Sequence, residues 1–125
     1  MKLLLPFLII AAIFNTVKTD NFAVLVAGSN QFYNYRHQSD VFHAYQSLLQ
    51  KGMNPNNIIV LAYDDIANSV SNPIRGKVFN KPTYADAGVD VYNGIKIDYS
   101  GADVTPAVFL NVLSGNKTFV KGKGT

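Results

Sequence analysis

Residues 22–62 contain the stretch that decides the fold of this chain of 125 residues. The sequence FAVLVA at residues 22–27 is a continuous apolar run between Asn21 and Gly28, and the sequence IIVLA at residues 58–62 is a second run of the same kind. Apolar runs of this length, without alternation, are typical of parallel strands that are buried on both faces of a sheet. We therefore predict two parallel strands.

Between the two runs, residues 40–51 have the periodicity of an amphipathic helix. Apolar side chains recur at spacings of three and four, an acid lies near the start, and Gly52 follows the end. Strand, helix and strand together form one βαβ unit, whose connection should be right-handed. A second helix is predicted where Thr105 can cap its start, Pro106 occupies its first turn and Gly115 ends it.

Two parallel strands do not close a hydrophobic core, because a parallel sheet needs helices on both faces and usually more strands. We therefore predict an α/β fold of which this chain is the first half. Residues 63–101 have no clear periodicity and are broken into turns by Gly, Pro, Asn and Asp, and we predict a short hairpin at residues 89–97. A loop this long in a small domain is usually functional.

Residues 1–19 have the pattern of a signal peptide. Lys2 precedes an apolar run at residues 3–14 that is too short to span a bilayer, and we expect cleavage near Thr19. Residues 20–125 would then enter the secretory pathway as the mature domain, without a membrane attachment. Consistent with this route, Asn116 begins the triplet Asn-Lys-Thr, which is an acceptor for N-glycosylation.

The composition excludes several classes of function. The chain has no Cys, which rules out disulfides, zinc sites of the Cys type and a Cys nucleophile within these residues. All eight acids are Asp, so the Glu that often closes a calcium site is absent. The net charge of +3 falls to +1 when Lys2 and Lys18 of the leader are removed, which is too little to attract nucleic acid. We predict no cofactor, no metal and no nucleic-acid partner.

The densest polar cluster is SNQFYNYRHQ at residues 29–38, between the first strand and the first helix. The carboxyl ends of strands are where α/β sheets bind ligands. Arg36 and His37 could bind a carboxylate or amide group of a substrate and orient a general base. Alternatively, both residues belong to a polar helix start, where they cap neighbours or meet solvent. Position alone does not decide between these two interpretations.

Other polar residues give weaker signals. Gly28 lacks the further glycines of a phosphate-binding loop, which argues against a nucleotide-binding module. Asp64 and Asp65 could form a carboxylate pair, but adjacent residues in an extended segment point in opposite directions, so capping or contacts to the long loop are favoured. His43 lies beside the apolar face of the helix and is expected to be packed or partly exposed rather than a ligand.

A calcium site is faintly suggested by Asp86, Asp90 and Asn93 beside Gly94. The spacing of an EF-hand and its closing Glu are absent, however. We therefore expect these residues to lie in a solvated loop.

A series of motifs resembles one known family. In chain order they are VLVAGSN at residues 24–30, YNYRHQ at 33–38, HAY at 43–45, YDDIA at 63–67, NP at 72–73, DVY at 90–92, DYSG at 98–101 and DVTP at 103–106. Together they strongly resemble the amino-terminal part of the legumain family, which comprises the asparaginyl endopeptidases also called vacuolar processing enzymes or haemoglobinases (peptidase family C13). The match runs almost without gaps from Asn21 to the end of the chain. Phe42 departs from it, since many relatives have Cys there, and it should fill the same core position.

The resemblance implies a cysteine endopeptidase of the lysosome or vacuole, possessing a caspase-like α/β/α sandwich with a mainly parallel sheet. Such enzymes are made as zymogens and cleave protein substrates after Asn, and more slowly after Asp. Asn34 matches the catalytic residue that orients the catalytic His, and Arg36 and His37 match the wall of the pocket that receives the substrate Asn. The family's catalytic His and Cys, and the acidic residues of that pocket, would follow Thr125. We therefore expect this chain alone to be inactive.

The sequence leaves two other functions open. The chain could be a secreted fragment that binds peptides through Arg36 and His37 without catalysis. It could also belong to a subunit like that of the glycosylphosphatidylinositol transamidase, which shares the Asn-Tyr-Arg-His segment and the Asp-Asp pair. Residues 27–30 and 98–101 favour legumain over the transamidase.

Overall fold

The computed structural model describes residues 20–81 and 88–120. The predicted signal peptide, residues 1–19, lies outside the described residues. The helices and strands, in chain order, are β1 (Ala23–Ala27), α1 (Tyr35–Gln50), β2 (Ile58–Ala62) and α2 (Pro106–Leu113). Single turns of 3₁₀ helix lie at Phe32–Asn34, Pro55–Asn57 and Gly101–Asp103.

The two strands pair in parallel, as predicted. Ala23 lies opposite Ile58 and Ala27 opposite Ala62, so the carboxyl ends of β1 and β2 meet at the same edge. On the far side of β2, Leu61 forms a parallel bridge with Tyr99. Together with α1, which packs against both strands, this arrangement confirms the predicted α/β class.

The core lies between α1, the sheet and the segment that follows β2. Its apolar members are buried residues of all three parts, including Phe42, Tyr45, Ile58, Val60, Ala62, Ile66, Val78 and Val91. Phe42 is fully buried, as expected for a core position, and its ring lies 5.7 Å from that of Tyr92.

Helix α1 is longer than the sequence indicated. It begins at Tyr35 rather than near Asp40, so Arg36 and His37 lie in its first turn and not in a loop. Its first turns bury the polar residues Gln38 and Ser39, and the apolar period therefore fails where the helix starts. Tyr35 fixes this end of the helix, since its hydroxyl accepts a hydrogen bond of 2.6 Å from a backbone N–H in the long segment.

The predicted hairpin at residues 89–97 is wrong. Asp90 pairs instead with Phe79 in an antiparallel bridge, and Val91 N–H donates to Val78 O at 2.8 Å. The Asp90 carboxylate secures this pairing, because one of its oxygens accepts from the backbone N–H groups of Val78 at 3.1 Å and Tyr92 at 3.0 Å. Val78 and Phe79 therefore supply the backbone partners that a hairpin would have drawn from within residues 89–97.

Two buried polar side chains hold the remainder of the long segment. Asn72 donates to the backbone oxygens of Ile66, Ala67 and Lys77. Asp98 accepts a hydrogen bond of 2.9 Å from the N–H of Val60 in β2. These backbone groups are thus satisfied by side chains, as buried groups require.

Helix α2 begins and ends as predicted. The Thr105 hydroxyl accepts from the N–H of Val108 at 3.1 Å, Pro106 occupies the first turn, and Gly115 follows the end with a φ of 65°. Within residues 20–81 and 88–120, no helix has the length and apolar character needed to cross a membrane.

Candidate functional site

The polar cluster of residues 29–38 lies at the carboxyl edge of the sheet, as predicted. Residues 28–31 leave β1, and the 3₁₀ turn Phe32–Asn34 leads directly into α1. A pocket of about 180 Å³ opens at this edge, and its lining residues are Gly28, Ser29, Asn30, Asn34, Tyr63 and Val104. The pocket therefore combines residues that follow both strands with one that precedes α2.

Asn34 is the last residue of the 3₁₀ turn and directly precedes α1. Its backbone N–H donates to Gln31 O at 3.0 Å, and its side-chain Nδ2 donates to Asn30 O at 2.9 Å. Within the described part of the chain, its Oδ1 accepts no hydrogen bond. The side chain is therefore held through its amide nitrogen, while its oxygen can accept a hydrogen bond from another group.

Arg36 and His37 occupy the first turn of α1 but differ in their contacts. His37 is half-buried, and its Nδ1 lies 2.6 Å from the hydroxyl of Ser29. Arg36 is exposed, and its guanidinium makes no ion pair or hydrogen bond with any residue in the ranges 20–81 and 88–120. Neither side chain caps α1 among the described residues, but both lie at its polar start and Arg36 meets solvent, which agrees with that part of the alternative interpretation.

Asp64 and Asp65 do not form a carboxylate pair, because they bind different partners. Asp64 accepts a hydrogen bond of 2.8 Å from the hydroxyl of Tyr92, which confirms the expected contact to the long loop. Asp65 accepts from the backbone N–H of Gln31 at 2.6 Å and from Nε2 of Gln38 at 2.7 Å. Asp65 therefore connects the end of β2 with the polar cluster.

Each of the two residues that donate a hydrogen bond to Asp65 has a feature that costs folding free energy. Gln31 has φ 68° and ψ 150°, a backbone region used almost only by Gly, which costs about 1 to 3 kcal/mol for other residues. Gln38 is 1% exposed, and its Oε1 has no hydrogen-bond partner in the described structure, which costs a similar amount. Sequence reasoning missed both residues, because neither cost is visible without the tertiary contacts.

Among the residues that the structure describes, the remaining candidates do not assemble a metal-binding group. The Asp90 carboxylate is occupied by backbone N–H groups, and Asp86 lies outside the described residues. No group of three or more potential His, Cys, Asp or Glu ligands is found among the residues that the structure describes. His43 is exposed on α1, within the expectation of a packed or partly exposed residue.

Tyr92 should ionise at unusually high pH. Burial, and then the hydrogen bond to Asp64 and the charge of its carboxylate, raise the pKa of Tyr92 from 10.0 to about 12. Because the folded state favours the neutral phenol, its contribution to stability is present below pH 10 and is lost between pH 10 and 12. A tyrosinate absorbance titration, compared with that of Y92F, should show this late transition.

The matched variant for this titration is D64N. Asn suits the positive φ of 61° at this position and keeps a side-chain oxygen, but it removes the charge. We expect the pKa of Tyr92 to fall below its value in the unsubstituted chain and to stay above 10.0, because burial is the larger cause of the shift. An unchanged titration in D64N would contradict the contact with Asp64.

Comparisons with known proteins place these residues in context. A model of the peptidase C13 family matches residues 21–125. Legumain from Mus musculus is 53% identical over 105 residues, which covers 84% of this chain and 23% of the relative. Hemoglobinase from Schistosoma japonicum is 55% identical over 95 residues, covering 76% of this chain and 22% of the relative. The vacuolar-processing enzyme delta-isozyme from Arabidopsis thaliana is 50% identical over 107 residues, covering 86% of this chain and 22% of the relative. The chain thus spans less than a quarter of the length of each of these relatives.

Proposed function

The chain belongs to the peptidase C13 family, and from this membership we propose that it is the amino-terminal part of a cysteine endopeptidase that cleaves protein substrates after Asn. The observation that carries the proposal is the arrangement at the carboxyl edge of the sheet. An anchored amide at Asn34 lines a pocket, and the cation of Arg36, which has no partner among the described residues, lies in the helical turn that follows. The relatives are proteases of the legumain type, and they do not favour either the non-catalytic or the transamidase alternative.

In this proposal each residue of the cluster has one role. The Oδ1 of Asn34 accepts a hydrogen bond from the catalytic imidazole and orients it. Arg36 donates hydrogen bonds to the side-chain oxygen of the substrate Asn, and His37, held by Ser29, forms the neighbouring wall. The sequence has no Cys, so the thiolate nucleophile would come from outside residues 1–125.

The route of the protein follows from the same proposal. Residues 1–19 would act as a signal peptide, and the mature enzyme would reach a lysosome or vacuole, or be secreted. Its partners would be proteins and peptides with Asn at the cleavage site, with no nucleic acid involved.

The test uses the complete protein, meaning the full-length product whose amino-terminal part is this chain. Peptides that differ only in Asn, Asp, Gln or Ala at the cleavage position should be cleaved fastest after Asn at acid pH. A thiol-alkylating reagent should abolish this activity. Residues 20–125 alone should be inactive, and hydrolysis by them would contradict the proposed Cys nucleophile.

We further propose that Asn116 carries an N-linked glycan. The side chain is exposed after α2, and the Thr118 hydroxyl donates to Asn116 Oδ1 at 2.7 Å, so the acceptor triplet is accessible. When the chain is expressed through a secretory pathway, an N-glycan amidase should increase its electrophoretic mobility. N116Q should remove this shift, whereas N111Q, which alters the amide partner of Asn116, should keep it. A shift that persists in N116Q would contradict the assignment.

A further inference from the structure

Asp65 connects the end of β2 to both sides of the segment that contains Asn34, Arg36 and His37. One carboxylate oxygen accepts from the N–H of Gln31, which precedes this segment. The other accepts from Nε2 of Gln38, which follows it directly. We propose that Asp65 is a positioning residue that fixes the geometry of this segment for catalysis, an inference that rests on the proposed function.

The contact with Gln31 fixes the approach to Asn34. Gln31 adopts a φ of 68°, which residues other than Gly rarely adopt, so neighbouring contacts must hold its backbone in this conformation. Its N–H is held by Asp65 at 2.6 Å, and its carbonyl accepts from the N–H of Asn34 at 3.0 Å. The position of Asp65 is therefore transmitted through the backbone of a single residue, Gln31, to the residue proposed to orient the catalytic His.

The contact with Gln38 fixes the rotation of α1 next to His37. The Gln38 side chain is buried, and its Oε1 has no partner among the described residues, so the hydrogen bond to Asp65 is the one that holds this amide. Without Asp65, both ends of a buried amide would lack partners, and the first turn of α1 would move to reach water. Arg36 and His37 lie on that turn and would move with it.

The contacts require a hydrogen-bond acceptor for the N–H of Gln31 and a hydrogen-bonding partner for the amide of Gln38, rather than a negative charge. In D65N, the introduced Oδ1 can accept from Gln31, and the introduced amide can donate to Oε1 of Gln38 after that side-chain amide rotates by half a turn. D65A supplies neither contact. If Asp65 is a positioning residue, D65A should impair the enzyme strongly and D65N should restore its activity. If Asp65 instead acts as a catalytic or substrate-binding charge, both variants should be impaired.

The experiment measures kcat and KM of the complete protein with an Asn-containing peptide. We expect D65A to raise KM about tenfold, since the substrate-binding residues move, and to lower kcat as well. D65N should stay within about threefold of the unsubstituted enzyme. Loss of folded enzyme alone would lower the apparent kcat without changing KM. The control is D64N, which removes the neighbouring charge and should leave KM unchanged.

The outcomes separate this inference from the proposed function. If the unsubstituted enzyme cleaves Asn peptides and D65A keeps its KM, the positioning role is wrong and the proposed function stands. If D65N is as impaired as D65A, the charge of Asp65 matters and the positioning role is again wrong. An unsubstituted complete protein that does not cleave Asn peptides would overturn the proposed function, and the catalytic significance of Asp65 with it.

Discussion

Replacing Arg36 with Ala should lower kcat/KM of the complete protein for an Asn-containing peptide by about 100-fold. Hydrogen bonds from a guanidinium are charge-assisted and contribute roughly 1.5 to 3 kcal/mol each, and a loss of about 2.7 kcal/mol corresponds to this factor. The stability of the protein should change by no more than about 0.5 kcal/mol, because Arg36 is exposed and has no partner among the described residues. The measurements are steady-state kinetics and a thermal melt on the same preparations.

The chain offers a matched control, since its second Arg, Arg75, is also exposed but lies in the long segment after β2. R75A should keep kcat/KM unchanged. R36K keeps the charge but loses the planar pair of donors, so its activity should lie between those of R36A and the unsubstituted enzyme. Equal losses in R36A and R75A would point to a general charge effect and would contradict a substrate-binding role for Arg36.

The strand–helix–strand order could be predicted because it depends on local patterns. The apolar runs at residues 22–27 and 58–62 have few structural alternatives, and α2 carries its own stop and start signals. The start of α1 could not be predicted in the same way. Its first turns bury Gln38 and Ser39, whose partners lie in segments distant in sequence, so the apolar period does not mark this part of the helix.

The position of the candidate site was also predictable, whereas its internal contacts were not. A polar cluster after a parallel strand indicates a ligand-binding edge, and Asn34, Arg36 and His37 lie there. The contact of Ser29 with His37 and the two contacts of Asp65 join residues that only the fold brings together. The positive φ of Gln31 could not be predicted from the sequence either, because no Gly marks this position.

Replacing Asn72 with Asp should destabilise the protein by about 3 to 5 kcal/mol near neutral pH. Asn72 is 6% exposed, and its Nδ2 donates to the backbone oxygens of Ile66, Ala67 and Lys77 at 3.3, 2.9 and 2.9 Å. A carboxylate has no N–H to donate and would place a negative charge against three carbonyl oxygens in a buried site. An unpaired buried charge of this kind is among the most damaging of single substitutions.

The loss in N72D should depend on pH, which separates it from a simple packing defect. Burial and the surrounding carbonyl oxygens favour the neutral form, so the pKa of the introduced carboxyl should lie above its unfolded value of about 3.9. The unfolded state then releases its proton first as pH rises, and the destabilisation should be smallest near pH 4 and should grow toward neutral pH. The control is N68D at a neighbouring exposed position, whose unfolding midpoint should change little. Urea midpoints of both variants at the two pH values provide the measurement. A loss in N72D that is the same at both would mean that the missing donors alone, and not the buried charge, cause the destabilisation.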